Sequence, residues 1–121
     1  MNSQFEYVFI LSSQNTPTRA IGVNDFRGTV SNVYSAPPQR NNEYSDIHAA
    51  TFPIHLPEWI LLSFTNKNSI ILESFTGTGT TIIAAERTGR RCYGIEIEPK
   101  YCDVIIKRYE AETGQAAQKI G

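Results

Sequence analysis

The chain has 121 residues, 40% hydrophobic and 19% charged, which suits one domain and leaves little room for two. Eleven Lys and Arg against twelve Asp and Glu give a net charge of −1, which disfavours a chain that grips nucleic acid chiefly through phosphates. No apolar run approaches the roughly 20 residues that span a bilayer. The start, Met1-Asn2-Ser3-Gln4, has no basic residue and no long apolar stretch, so no secretory signal is expected; Cys92 and Cys102 are too few for a disulfide framework, and a cytoplasmic protein is expected.

Residues 5–11, Phe-Glu-Tyr-Val-Phe-Ile-Leu, are mostly β-branched or aromatic and predict a buried strand. From Ser12 to Asp46 the chain is rich in Pro, Gly, Asn and Ser, which predicts loops with one short strand at 28–34. The tract 35–42 reads as a disordered linker. Pro57 is suited to open a helix, with Leu56, Ile60 and Phe64 on one apolar face and Asn66-Lys67-Asn68 as its stop. A short apolar strand follows at 69–72. A Gly/Thr loop leads into a helix over 81–88, closed by Gly89. A second strand at 91–95 and a last helix from Pro99 to about Thr113 complete a βαβα unit. In that last helix Tyr101, Ile105 and Tyr109 form the predicted core stripe. The expected organisation is one domain: a loop-rich segment 5–47, the βαβα unit within 48–114 and a polar tail 115–121.

The loop Glu73-Ser-Phe-Thr-Gly-Thr-Gly-Thr-Thr81 lies between a strand and a helix, where open α/β sheets bind ligands. Its glycines let backbone approach a ligand, and a helix N-terminus favours anions. A phosphate-binding P-loop would need a Lys that is absent. A Gly-x-Gly-x-x-Gly dinucleotide fingerprint fails at its third position, Ile82. An S-adenosylmethionine (AdoMet) site fits better, with Glu73 and Glu96 at the ends of successive strands, about one helix apart. A carboxylate accepts hydrogen bonds from an ammonium or from both hydroxyls of a diol. The plainer reading is a tight turn with solvated acids. His48, His55, Cys92 and Cys102 match no zinc spacing, and core packing suits the cysteines better. Trp59 also reads as core, and Arg87, Arg90 and Arg91 as cations at a helix end.

The segment from Glu73 to Thr81, then Ala84-Ala85-Glu86-Arg-Thr-Gly-Arg-Arg-Cys-Tyr-Gly-Ile-Glu96, then Pro99-Lys-Tyr101 with Arg108, resembles the C-terminal part of prokaryotic DNA amino-methyltransferases. The likeness is to their permuted class, which places the catalytic motif first and the AdoMet motifs last. His48-Ala-Ala-Thr-Phe-Pro53 with Leu56-Pro57, and more loosely residues 5–34, extend it. The resemblance implies a partial Rossmann-like α/β fold and methyl transfer to the exocyclic amino group of adenine or cytosine. It implies that Glu73 accepts the AdoMet amino group and that Phe75, Gly77, Thr78, Gly79 and Thr80 surround the methionine moiety. Glu96 would hold the ribose diol with Ile97 beside the adenine, and Thr51, Phe52 and Pro53 would close the far side.

Three departures stand out. The family's usual Asp-Pro is Glu73-Ser74 here, and the usual Pro after the histidine is Ala49, both implying weaker cofactor binding. The family's catalytic motif is Asp, Asn or Ser, then Pro-Pro and an aromatic; the one Pro-Pro here, Pro37-Pro38, has Ala36 before it and Gln39 after. The strand carrying that motif is expected to precede Met1. The chain therefore reads as the AdoMet-binding portion of a DNA methyltransferase, inactive alone. Its expected partner is a missing N-terminal half, or a second copy in a homodimer. Arg19 and Arg27 are candidate DNA contacts. The alternative is a non-catalytic remnant that keeps the fold for binding a partner.

Overall fold

The computed structural model describes residues 7–9, 11, 31, 33–36 and 52–120. Arg19, Arg27, His48, Ala49, Thr51 and the Pro37-Pro38 tract lie outside the described residues, as do parts of the two predicted N-terminal strands. Where those segments are described, the strand expectation is corrected. Tyr7, Val8, Phe9 and Leu11 are in no strand and are exposed, and residues 31, 33 and 34 are likewise in no strand. A strand exists only through its neighbour, and the described sheet has two strands, both later in the chain. Tyr34 instead packs its ring on Trp59, centroids 4.9 Å apart, and its hydroxyl meets His55 Nδ1.

Helix α1 spans His55–Phe64, starting two residues before the predicted Pro57. Pro57 still falls in the first turn, where helix N–H groups have no intrahelical acceptor, so its missing donor costs little. The buried positions are Pro57, Leu61 and Ser63, while Leu56, Ile60 and Phe64 are half-buried, a rotation of the predicted face. At the other end Thr65 donates its N–H and its hydroxyl to Leu61 O, at 3.0 and 2.7 Å. Arg90 seals that end, donating to Leu61 O and Thr65 O at 3.3 and 2.7 Å. The cation complements the helix dipole and satisfies carbonyls that have no partner within the helix.

Strands β1 (Ile70–Glu73) and β2 (Arg91–Gly94) pair in parallel, Ile70 opposite Arg91 and Glu73 opposite Gly94, joined through helix α2 (Thr80–Arg87). Gly89 ends the connection as predicted, at φ +70°. Its N–H donates to Glu86 O and the Arg90 N–H to Ala85 O, the two bonds of a Schellman cap. The core lies between α1, α2 and one sheet face. Leu61, Ala84 and Ala85 are its centre, with Ile54, Ile71 and Cys92 packed around them. The paired alanines, both with no exposed surface, let α2 approach its neighbours closely.

Helix α3 (Pro99–Thr113) begins at Pro99 and ends before Gly114, at φ +69°, both as predicted. None of its residues is buried, so the Tyr101, Ile105 and Tyr109 stripe is half-buried rather than core. Arg87 on α2 donates to both Glu112 oxygens on α3, at 2.6 and 2.8 Å, and lies 3.5 Å from Glu58 on α1. The Arg87 hydrogen bond holds the Glu112 carboxyl below its usual range. The other sheet face is open, exposing Ile70, Leu72 and Tyr93. Parallel sheets normally cover both faces.

With so small a core, Leu61→Ala should remove about 2–4 kcal/mol of stability through lost transfer and cavity energy. A denaturant titration followed by circular dichroism measures the loss; an unchanged midpoint would mean that the core lies elsewhere.

Candidate functional site

The two parallel strands end side by side, so the loops that follow them share one edge of the sheet. Thr76 fastens those loops together. Its N–H donates to Ile95 O at 3.1 Å, and its hydroxyl lies 3.0 Å from Ile95 O and 3.4 Å from Glu73 O. The approach is so close that a Cβ on Gly94 would stand 2.6 Å from the Thr76 hydroxyl. The loop then turns through Gly77 at φ +55° and Gly79 at φ +83°, conformations that favour glycine. Gly79 is also the N-terminal cap residue of α2, with its own N–H on Thr76 O at 2.9 Å.

Two carboxylates bracket this loop. Glu73 ends β1; its Oε1 accepts from the Phe75 N–H at 3.1 Å and its Oε2 from the Thr81 hydroxyl at 3.0 Å. Glu96 follows β2; its Oε2 accepts from the Gly77 N–H at 2.7 Å and its Oε1 from the Glu98 N–H at 2.9 Å. Both acids are half-buried and held in fixed orientations, unlike the solvated acids of a plain turn. Each carboxylate offers about four acceptor directions, so a rigid pair of this kind can take further donors from a bound molecule. Phe75 and Ile97, next to the acids, are 90% and 95% exposed and present apolar surface at the same edge.

Of the residues predicted from sequence, Glu73, Phe75, Gly77, Thr78, Gly79, Thr80, Glu96 and Ile97 are gathered at this edge. Phe52 and Pro53 lie just before α1. Sequence reasoning missed the Thr76 bond to Ile95, the Thr81 hydroxyl on Glu73 and the close approach at Gly94. It also assigned no role to Arg108, whose Nη1 lies 2.7 Å from Thr78 O, 30 positions away. Burial, then the nearby Glu73 charge, pushes the Cys92 thiol pKa up.

Residues 4–108 match the DNA methylase family. The chain belongs to that family. It is 31% identical to the type II methyltransferase M.BglII of Bacillus subtilis over an alignment covering 88% of this chain and 34% of M.BglII. With the type II methyltransferase M2.DpnII of Streptococcus pneumoniae it shares 43% identity over 54% of this chain and 24% of that protein. Among solved structures it resembles the cytosine-N4-specific PvuII DNA methyltransferase, at 26% identity and TM-score 0.57, over 66% of this chain and 32% of that one. It also resembles M1.HpyAVI in complex with SAM, at 31% identity and TM-score 0.52, over 57% of this chain and 34% of that one. The chain thus spans about a third or less of the length of these relatives. The strand–helix–strand–helix order is the partial Rossmann-like α/β fold expected from the sequence.

Gly94→Ala should force Thr76 away from both strand ends and cost about 1–3 kcal/mol, the range for overpacking. Faster amide exchange at Thr76 and Ile95, with a lowered unfolding midpoint, is the expected result. A variant as stable and protected as the parent would show that the close approach is dispensable.

Proposed function

We propose that this chain is the AdoMet-binding portion of a DNA amino-methyltransferase of the permuted class. The observation that supports this best is the pair of oriented carboxylates at the ends of adjacent parallel strands, bracketing a glycine loop at a helix N-terminus. The chemistry of that set fits AdoMet. Glu73 accepts the amino group, and Glu96 accepts the ribose hydroxyls. Gly77, Thr78, Gly79 and Thr80, with Phe75, surround the methionine portion at the start of α2, where the dipole favours its carboxylate. Ile97 offers apolar surface to the adenine, and Thr51, Phe52 and Pro53 close the opposite side. AdoMet supplies an electrophilic methyl group on sulfur when bound.

The acceptor in this reading is the exocyclic amine of a flipped adenine or cytosine. That amine is a weak nucleophile because its lone pair is delocalised into the ring. It needs an acceptor and a stacking aromatic to aim it at the methyl group. No such Asp/Asn/Ser-Pro-Pro-aromatic motif occurs in these 121 residues. A complementary chain segment supplies it, covers the open sheet face and brings most of the DNA contact, with Arg19 and Arg27 adding to it. Glu73 and Glu96 are committed to the cofactor's two ends and cannot replace the motif.

Calorimetric titration should show AdoMet and its demethylated product binding, while NAD and ATP do not bind. Glu96→Ala should weaken AdoMet by about 1.5–3 kcal/mol, the range for hydrogen bonds to a charged group. No heat at millimolar AdoMet would remove the cofactor site and favour a remnant of the fold that binds a partner. A tritiated-methyl assay on mixed-sequence DNA should show no transfer by the isolated chain, and transfer once a chain carrying the missing motif is added. Turnover by the pure chain alone would mean that the active site has been misplaced.

A further inference from the structure

Helix α3 has no buried residue, yet one of its faces meets the glycine loop. Ile105 Cγ1 lies 3.0 Å from where a Cβ on Gly79 would stand. Three positions on, and so on the same helix face, Arg108 Nη1 lies 2.7 Å from Thr78 O, 3.1 Å from Thr78 Oγ1 and 3.3 Å from Thr80 Oγ1. Thr78 and Thr80 are 4% and 5% exposed, so with the guanidinium in place their hydroxyls meet it away from bulk water. The Thr78–Gly79 peptide is held at both ends, its carbonyl by Arg108 and its N–H by Thr76 O. The carbonyl is the end of that peptide that would repel an anionic ligand group, and Arg108 keeps it turned toward α3.

We propose that Arg108 is a positioning residue for the cofactor loop, fixing the Thr78–Gly79–Thr80 backbone from the α3 side before ligand arrives. The inference rests on reading that loop as the AdoMet site, and its test separates the two.

The full chain is compared with Arg108→Ala, Arg108→Lys and Arg87→Ala. Amide hydrogen exchange at Gly77 and Gly79 is measured without ligand, and AdoMet affinity by calorimetry. Arg108→Ala should speed exchange at both glycines about tenfold and weaken AdoMet about tenfold. Arg108→Lys should recover part of both, because all three contacts run to a single nitrogen that a lysine ammonium can imitate. Arg87→Ala breaks the ion pairs that link α2 to Glu112 on α3 and to Glu58 on α1, and should lower the melting temperature with neither effect on the loop. Unchanged exchange at Gly79 in Arg108→Ala overturns the proposal, as do equal loop effects in Arg87→Ala. A parent chain that binds no AdoMet removes the cofactor reading, while the exchange rates still decide what Arg108 does to the loop.

Discussion

Thr76 joins the ends of two strands, and the rest of the site depends on that junction. Through its N–H and hydroxyl it couples the loop after β1 to the backbone after β2. It adds to the bond from the Ile95 N–H to Glu73 O, which holds Glu73 beside the segment that carries Glu96. With it, the Gly77 N–H reaches Glu96 and the two carboxylates become parts of one rigid rim. The cost is a position with no room for a side chain, Gly94, and a buried threonine whose polar atoms must all be satisfied. Among the described residues no buried side-chain polar atom lacks a partner, so the rim is preorganised rather than strained.

Around this rim the domain is asymmetric. One sheet face carries α1 and α2 over a small alanine-lined core, and the other leaves Ile70, Leu72 and Tyr93 exposed. A parallel sheet of two short strands has little independent stability. Three arginines therefore do structural work at the joints between helices: Arg90 closes the end of α1, Arg87 links α2 to α3, and Arg108 fastens α3 to the glycine loop.

Much of the site was legible because it is local. Gly89 and Gly114 follow helices, Pro99 starts one, and the glycine loop between a strand and a helix carries its own signature of backbone freedom and acidic flanks. The failures share another cause. The apolar run Tyr7-Val8-Phe9 reads as a strand because strand propensity reports how well residues fit a pleated surface, while pairing is set by a neighbour. The face of α1 was misjudged by about one position because Leu56, Ile60 and Phe64 satisfy the helical period as well as Pro57 and Leu61 do. Only the position of α2 selects between them.

The sequence by itself determined the order of elements from His55 to Thr113 and the turns at the glycines of the loop, since each is written in adjacent residues whose conformational preferences are nearly independent of context. Tertiary structure alone decided which donors hold Glu73 and Glu96, why position 94 has no side chain, and how Arg108 reaches Thr78. The contacts of Glu96 with Gly77 and of Arg108 with Thr78 join residues 19 and 30 positions apart, and they exist only once the two strands lie side by side.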